Sequence, residues 1–289
     1  MDTFIKQQQE ILHDIELKLN GKTVFFDGDT DPITALILHK VIRKIDKNER
    51  LFLILESPGG SIDSAAKIVH MCKEYFNELN VIVPYYAKSA ASLIAIAADN
   101  LYIGKCGEIG PIDPYVQHPV GNYRFPALAI KDAIEVIEET KDPYVKMGLT
   151  DKIDPYLMGS YKRTLREARQ YIEKANLIKT ASNKEKVISE LTETYISHGY
   201  PIDRKACLKI GIKFSDLDNE IFSTIYDFME NHLEFNLESE VPIKLLILSD
   251  KLKEVKFSKK TELSKQSEGK KSSIKDKAIK IKKSHKGKT

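Results

Sequence analysis

The chain has 289 residues, of which 42% are hydrophobic, and its formal net charge at pH 7 is +3. This composition is sufficient for one substantial core, and no run of about 18 apolar residues is present, which argues against a membrane span. Three widely separated cysteines exclude a disulfide framework and a zinc signature, and the start, "MDTFIKQQQEILHDIE", lacks the basic and apolar blocks of a secretory signal, so we expect a cytoplasmic protein.

The first half of the sequence alternates between helix-like and strand-like segments. Residues 1–20 have apolar side chains at helical spacing, which predicts an amphipathic helix that ends near Asn20-Gly21. Short apolar runs then predict strands, and longer segments between them predict helices. The strands are "TVFFD", "LFLILE", "VIVPYY" and "LYIG", and the helices are "PITALILHKVIRKI", "SIDSAAKIVHMCKEYF" and "SAASLIAIAADN". This order is typical of an α/β domain of parallel βα units, which we place at residues 21–214.

The second half is less regular. Within residues 120–195, "YKRTLREARQYIEKANLI" and "NKEKVISELTETYI" predict two charged helices, which we expect to form an arm outside the sheet. "SHGYPIDRKACLKIGIKF" predicts a turn, a short helix and a terminating glycine. Over residues 215–256, "EIFSTIYDFMENHLEF" and "VPIKLLILSDKL" predict further helices.

The end of the chain carries most of the positive charge. Residues 257–289 contain twelve lysines and three acidic residues, a balance of +9, which leaves −6 for residues 1–256. Because so few of these residues are apolar, we expect a disordered lysine-rich tail. Its charge suits an acidic partner or nucleic acid, although a solvated tail explains the same composition.

Two strand-to-helix turns carry residues suited to catalysis. The first is Ser57-Pro58-Gly59-Gly60, in which a glycine pair allows backbone conformations closed to other residues. No Gly-Lys-Ser/Thr follows, so the turn is not a phosphate-binding loop. In the second turn Ser89 precedes a helix of small residues, either as a helix cap or as a nucleophile. Neighbouring parallel strands bring such turns together, so the N–H groups of Gly60 and Ala90 are candidates for one oxyanion hole.

Several motifs carry a family resemblance. "SPGGSI" followed by "AKSAASLIAIAADNLYIG" is similar to the Clp-protease superfamily, and "VPYYAKSAASLIAIAAD", "GEIGPIDP" and "SHGYPIDRKACLKIGI" resemble the serine dehydrogenase proteinase family. The resemblance extends over about residues 5–214. It implies a ClpP/crotonase-like fold, a parallel βα superhelix, and a serine-type endopeptidase that forms a homo-oligomer and needs no metal or cofactor.

Carried over residue by residue, the resemblance implies that Ser89 is the nucleophile and that the N–H groups of Gly60 and Ala90 form the oxyanion hole. Family members usually have two glycines after the serine, whereas this chain has Ala90 and Ala91. Alanine keeps the N–H group and reduces only the freedom of the backbone.

A serine nucleophile also needs a base within hydrogen-bond reach. The resemblance implies that a triad member returns to the site at His198, in "SHGYPI", and that Asp113 orients it, at a position where Clp-type peptidases have their histidine. A turn-forming aspartate before a proline explains Asp113 equally well. His118 is the competing base, and Lys162 is the candidate for a Ser-Lys dyad. The other five histidines are expected to be structural or solvated: His13, His39 and His70 fall in predicted helices, His232 in a predicted surface helix and His285 in the tail.

These observations predict a serine peptidase that cleaves short peptides or already unfolded segments. The alternative from another class is a catalytically inactive Clp-fold scaffold or binding protein, which the alanines after Ser89 and the open identity of the base both allow. A crotonase-like acyl-CoA enzyme shares the oxyanion geometry but leaves Ser89 without a role.

Overall fold

A computed structural model describes residues 2–117, 124–174, 183–238 and 246–248. Its helices are α1 (Asp2–Leu19), α2 (Pro32–Ile42), α3 (Ile62–Tyr75), α4 (Ala90–Ile96), α5 (Leu128–Glu139), α6 (Pro143–Thr150), α7 (Pro155–Lys174), α8 (Lys184–Ser189), α9 (Arg204–Ile210) and α10 (Asn219–Glu238). Its strands are β1 (Lys22–Asp27), β2 (Leu51–Glu56), β3 (Leu79–Val83), β4 (Tyr86–Ala87), β5 (Asn100–Ile103), β6 (Glu108–Ile109), β7 (Tyr115–Gln117), β8 (Arg124–Pro126), β9 (Ile202–Asp203) and β10 (Leu246–Leu248). The expected tail, with its disorder and its acidic or nucleic-acid partner, lies outside the described residues, as does His118.

Five strands form the main sheet, in the order β10-β1-β2-β3-β5. The strands β1, β2, β3 and β5 run parallel to one another. Asp27 of β1 lies opposite Glu56 of β2. Every residue of β2 and β3 is buried, as expected for strands that are covered on both faces. The predicted α/β fold with a parallel sheet is therefore confirmed.

Helices cover both faces of this sheet. Val24 and Phe26 of β1 point into the core beneath α2, α3 and α4, whereas Phe25 between them points into a second core beneath α1 and α10. In that second core the rings of Phe25 and Phe228 meet edge to face at 4.8 Å. A helix thus lies where the start of the sequence predicts one, and its apolar side chains, such as Leu12, cover the sheet. No helix in the ranges given above is long and apolar enough to cross a membrane.

Two expectations for residues 215–256 are wrong. Leu246–Leu248 form a strand antiparallel to β1 rather than part of a helix. A short apolar run does not distinguish a strand from a helix by its periodicity, and pairing here satisfies the backbone groups along the edge of β1. α10 is also not the predicted surface helix, because His232 is 4% exposed and its Nε2 lies 2.7 Å from Asp27 Oδ2.

The arm predicted over residues 120–195 is only partly outside the core. α5 and α6 have no buried residue, but α8 buries Val187 and Ile188. The π-helical turn Glu190–Thr194 that follows buries Leu191, whose carbonyl accepts a hydrogen bond from the Ile112 N–H at 2.7 Å. Charged residues dominate this segment and hide a narrow apolar stripe, so the composition alone indicated a solvated helix.

A small three-stranded sheet stands beside the main one, in the order β4-β6-β9. β4 and β6 run parallel, whereas β9 is antiparallel to β6. One end of this sheet therefore contains the C-terminal ends of β4 and β6 and the N-terminal end of β9.

Candidate active site

The same end of the small sheet carries the three side chains of the expected triad. Ser89 follows β4 by two residues, Asp113 follows β6 by four, and His198 precedes β9 by four. The topology thus brings His198 to two residues that lie at least 85 positions earlier in the chain. All three side chains line one cavity of about 430 Å³. A cavity of this size, lined by several convergent polar groups, is typical of a ligand site.

Ser89 has a strained backbone. It stands at the N-terminal boundary of α4 with φ 52° and ψ −121°, and its side chain makes no cap hydrogen bond. Positive φ is uncommon for a residue other than glycine and costs on the order of 1–3 kcal/mol. The helix-cap interpretation of Ser89 is therefore wrong, and the sharp strand-to-helix turn is the geometry that exposes a nucleophilic serine.

The glycine pair lies directly against this turn. Gly59 has φ 98°, and a Cβ atom on it would lie 2.5 Å from the Lys88 carbonyl oxygen and 2.8 Å from Ser89 Cβ. Gly60 has φ 141°, and a Cβ atom there would lie 2.5 Å from the Thr30 carbonyl oxygen. Only glycine fits at either position, both for conformation and for space.

Two backbone N–H groups at the junction of these turns have no acceptor among the residues that the structure describes. In the part of the chain that the structure describes, neither the Gly60 N–H nor the Ala90 N–H donates a hydrogen bond, whereas the Ala91 N–H donates to the Lys88 carbonyl at 2.9 Å. Gly60 and Ala90 also line the cavity beside Ser89. Unpaired N–H groups of residues that line one cavity are suited to an oxygen that becomes negative during a reaction.

His198 and Asp113 face each other without a hydrogen bond. His198 Nδ1 lies 3.9 Å from Asp113 Oδ2, with side-chain exposures of 29% and 2%. Both Asp113 carboxylate oxygens and His198 Nδ1 are buried without a hydrogen-bond partner among the described residues, and the His198 ring packs edge to face on Tyr115 at 4.8 Å. A distance of 3.9 Å exceeds a hydrogen bond, and catalytic hydrogen bonds are often long in the absence of substrate.

The two alternative bases are His118 and Lys162. His118 lies outside the described residues. Lys162 is exposed on α7 and is not among the residues that line the cavity with Ser89. The structure therefore does not bring Lys162 to the nucleophile, because its side chain lies on the solvent side of α7 rather than over the cavity.

A buried carboxyl group lies beneath the site. Glu56, at the end of β2, is 5% exposed, and burial, together with the charge of Asp27, raises its pKa to about 8 against the opposing hydrogen bond from the Tyr86 N–H. Loss of hydration disfavours the charged carboxylate. At neutral pH this carboxyl is therefore mostly protonated and adds little negative charge beneath the turn at residues 57–60.

Ser92 was missed by the sequence reasoning. It is fully buried, and its Oγ lies 2.7 Å from the Ala87 carbonyl and 2.8 Å from the Gly110 carbonyl and accepts the Gly110 N–H at 3.0 Å. The hydroxyl thus joins the end of β4 to the chain that leads from β6 to Asp113. The available signal was a serine within the apolar run of a buried helix, which has to find polar partners.

The contribution of α7 to the cavity was also not predicted from the sequence. Thr164, Glu167 and Ala168 of α7 line the cavity opposite the first turn of α3, and the Tyr171 hydroxyl of α7 donates a hydrogen bond to Asp63 of that turn. The sequence predicted a charged helix here but not its position over the site.

Residues 34–256 match a family model described as ClpP-like SDH-type serine proteinase. The chain belongs to this family. The resemblance drawn from the sequence motifs is therefore confirmed. Two uncharacterized proteins of Methanocaldococcus jannaschii are 30% identical over 192 residues and 27% identical over 195 residues, each covering 66% of this chain. The chain spans 61% and 60% of the length of these two relatives.

Two solved structures are similar to this chain. ClpP1 from Listeria monocytogenes is 16% identical and covers 72% of this chain and 95% of its own, with a TM-score of 0.44. A membrane-bound stomatin-specific protease is 14% identical and covers 73% of this chain and 82% of its own, with a TM-score of 0.45.

Proposed function

We propose that this chain is a serine peptidase that hydrolyses peptide bonds through Ser89. The observation that carries the proposal is the strained Ser89 turn, because a serine at φ 52° has no cap hydrogen bond. It stands beside two N–H groups that donate no hydrogen bond among the described residues, in a cavity that also holds His198. Membership of a serine proteinase family supports the same reaction.

In the proposed first step, the Ser89 hydroxyl oxygen attacks the carbonyl carbon of the peptide bond while His198 accepts the hydroxyl proton. The Gly60 and Ala90 N–H groups stabilise the resulting oxyanion. His198 then donates that proton to the leaving amine as the carbon–nitrogen bond breaks, which leaves an acyl group on Ser89. Water, activated by the same imidazole, hydrolyses the acyl-enzyme and restores the serine.

Asp113 stabilises the imidazolium that forms during both steps. Its carboxylate is buried and lacks a hydrogen bond in the described residues, so closure of the 3.9 Å separation would give Asp113 Oδ2 and His198 Nδ1 a partner each. We infer that this contact shortens when substrate fills the cavity, since hydrogen bonds of a catalytic site tighten in the substrate complex.

The substrates proposed are short peptides and unfolded segments, because a cavity of about 430 Å³ admits an extended chain and not a folded domain. Assembly into a homo-oligomer and a cytoplasmic location stay predictions from the sequence.

Hydrolysis of an unfolded protein tests this function. Fragments from an unfolded chain such as reduced casein are followed by mass spectrometry, with Ser89→Ala as the test variant. Ser160→Ala is the matched control, because Ser160 is exposed on α7 and does not line the cavity. We expect fragments with the wild type and the control and none with Ser89→Ala. Fragments that persist in Ser89→Ala would contradict the proposal, and their absence from every preparation, together with unreactive Ser89, would favour the scaffold alternative.

A further inference from the structure

Lys88, the residue before the proposed nucleophile, extends its side chain to Glu108 and to the loop that follows His198. Only 14% of the side chain is exposed, and its Nζ forms an ion pair with Glu108 of β6. The same Nζ faces the carbonyl oxygens of Gly199 at 3.5 Å and Tyr200 at 3.4 Å. An ammonium group has three donors and no acceptor, so one carboxylate and two carbonyls match its capacity.

The stem of Lys88 runs through space that a glycine leaves open. A Cβ atom on Gly110 would lie 2.7 Å from Lys88 Cδ and 3.2 Å from Lys88 Cα. Gly110 is itself fixed by the Ser92 hydroxyl. The route from Lys88 to Glu108 is therefore built into the small sheet and is not one rotamer of a solvated side chain.

The two carbonyls belong to the residues that immediately follow His198. Residues 195–201 contain no helix or strand, and their ring contacts among the described residues are Tyr195 on Tyr200 and His198 on Tyr115. Ring contacts tolerate small rotations, whereas an ammonium group that faces two carbonyl oxygens restrains the peptide groups that carry them. Lys88 thus connects the backbone of this loop to the turn that carries Ser89.

We propose that Lys88 and Glu108 form a clasp that positions His198 over Ser89. The inference rests on the proposed role of His198 as base. Lys88 is a positioning residue here, because its Nζ is engaged by Glu108 and the loop carbonyls and acts on Ser89 only through His198. The clasp makes the base loop and the nucleophile turn move as one unit, which matters because a displacement of about 1 Å in a reacting group costs roughly a hundredfold in rate.

The rate at which a fluorophosphonate labels Ser89 tests the clasp. We expect Lys88→Met to reduce this rate about ten- to hundredfold and Lys88→Arg, which keeps the charge and donors, to restore most of it. Glu108→Gln removes the negative charge from the same ion pair and should also slow labelling. Lys6→Met is the matched control, because Lys6 forms an exposed pair with Glu10 on α1 and should label at the wild-type rate.

A double variant separates positioning from general damage to the turn. If Lys88 acts through His198, Lys88→Met causes no further loss in the His198→Ala background. An equal loss in both backgrounds, or a wild-type rate for Lys88→Met alone, would overturn the clasp.

Hydrogen exchange tests the clasp without any reaction. The Tyr200 N–H donates to the Ser197 carbonyl at 3.0 Å within the loop, and we expect Lys88→Met to speed its exchange roughly tenfold by loosening the loop. A wild-type chain that does not label at all would contradict the proposed function. The exchange of the Tyr200 amide would then still test whether Lys88 holds the loop. Unchanged exchange of this amide would contradict it.

Discussion

The two sides of the candidate site are held by different kinds of interaction. On the nucleophile side, the Lys88 N–H donates to the Ser57 carbonyl at 2.9 Å and the Ser57 N–H donates to the Tyr86 carbonyl at 3.2 Å, so backbone hydrogen bonds extend β2 and β4 into the turns. On the base side, His198 is held by side-chain contacts and lies 3.9 Å from Asp113. The comparison indicates that the two N–H groups proposed for the oxyanion hole are fixed by the backbone, whereas the proposed base is held by side chains and still has to close on Asp113.

Loss of the base should give the largest effect on rate. We expect His198→Ala to slow peptide hydrolysis by a factor on the order of a thousand, because the serine then lacks a proton acceptor while the N–H groups remain. Hydrolysis and urea unfolding measured side by side check this, and the free energy of unfolding should change little for a side chain that is 29% exposed. Retention of more than about a tenth of the rate would move the role of base to another residue.

A methyl group on the nucleophile side should disturb folding as well as activity. Gly59→Ala would place Cβ 2.5 Å from the Lys88 carbonyl oxygen at a φ of 98°, and we expect a loss of roughly 2–4 kcal/mol in the free energy of unfolding, together with loss of labelling. Gly148→Ala in α6 is the control, because nothing lies within 4 Å of a Cβ atom there, and it should be neutral or slightly stabilising. Equal stabilities for the two variants would show that the turns are not packed together.

The same contrast explains what the sequence could predict. Strands β1, β2, β3 and β5 follow from short apolar runs, and the Gly59-Gly60 pair and Ser89 follow from turn chemistry, because those signals are local. The position of His198 depends on β9 pairing antiparallel with β6, and β10 depends on the free edge of β1. Two- and three-residue strands carry no periodicity, so the family resemblance, and not the residue pattern, pointed to His198.

Stability should fall as the pH rises through the titration of Glu56. Its pKa is raised from 4.5 to about 8 by burial, so between these values the folded state binds a proton that the unfolded state lacks. The free energy of unfolding should therefore decrease with increasing pH in this window, by up to about 1.4 kcal/mol per pH unit from this group. Glu56→Gln cannot titrate and should flatten the slope in urea unfolding at pH 5, 6.5 and 8. Exposed Glu49→Gln is the control, and an unchanged slope in Glu56→Gln would contradict this assignment.

The smallest expected effect is a charge preference among substrates. Asp63, Asp113 and Glu167 line the cavity, and no lysine or arginine of the described residues does. A peptide with lysine beside the cleaved bond should be hydrolysed about two- to fivefold faster than its glutamate counterpart, as for an exposed ion pair, and the ratio should fall at high salt. Glu167→Gln should reduce the ratio, whereas Glu139→Gln, exposed on α5, should not. A ratio unaffected by either salt or Glu167→Gln would exclude an electrostatic origin.

The most direct test of an activated Ser89 is the intact mass of the purified chain after exposure to a fluorophosphonate, followed by peptide mapping of the adduct. We expect one adduct per chain, located on Ser89, lost in Ser89→Ala and formed far more slowly in His198→Ala. An adduct that persists in Ser89→Ala, or a chain that stays unlabelled in every assembly state, would contradict a nucleophilic Ser89.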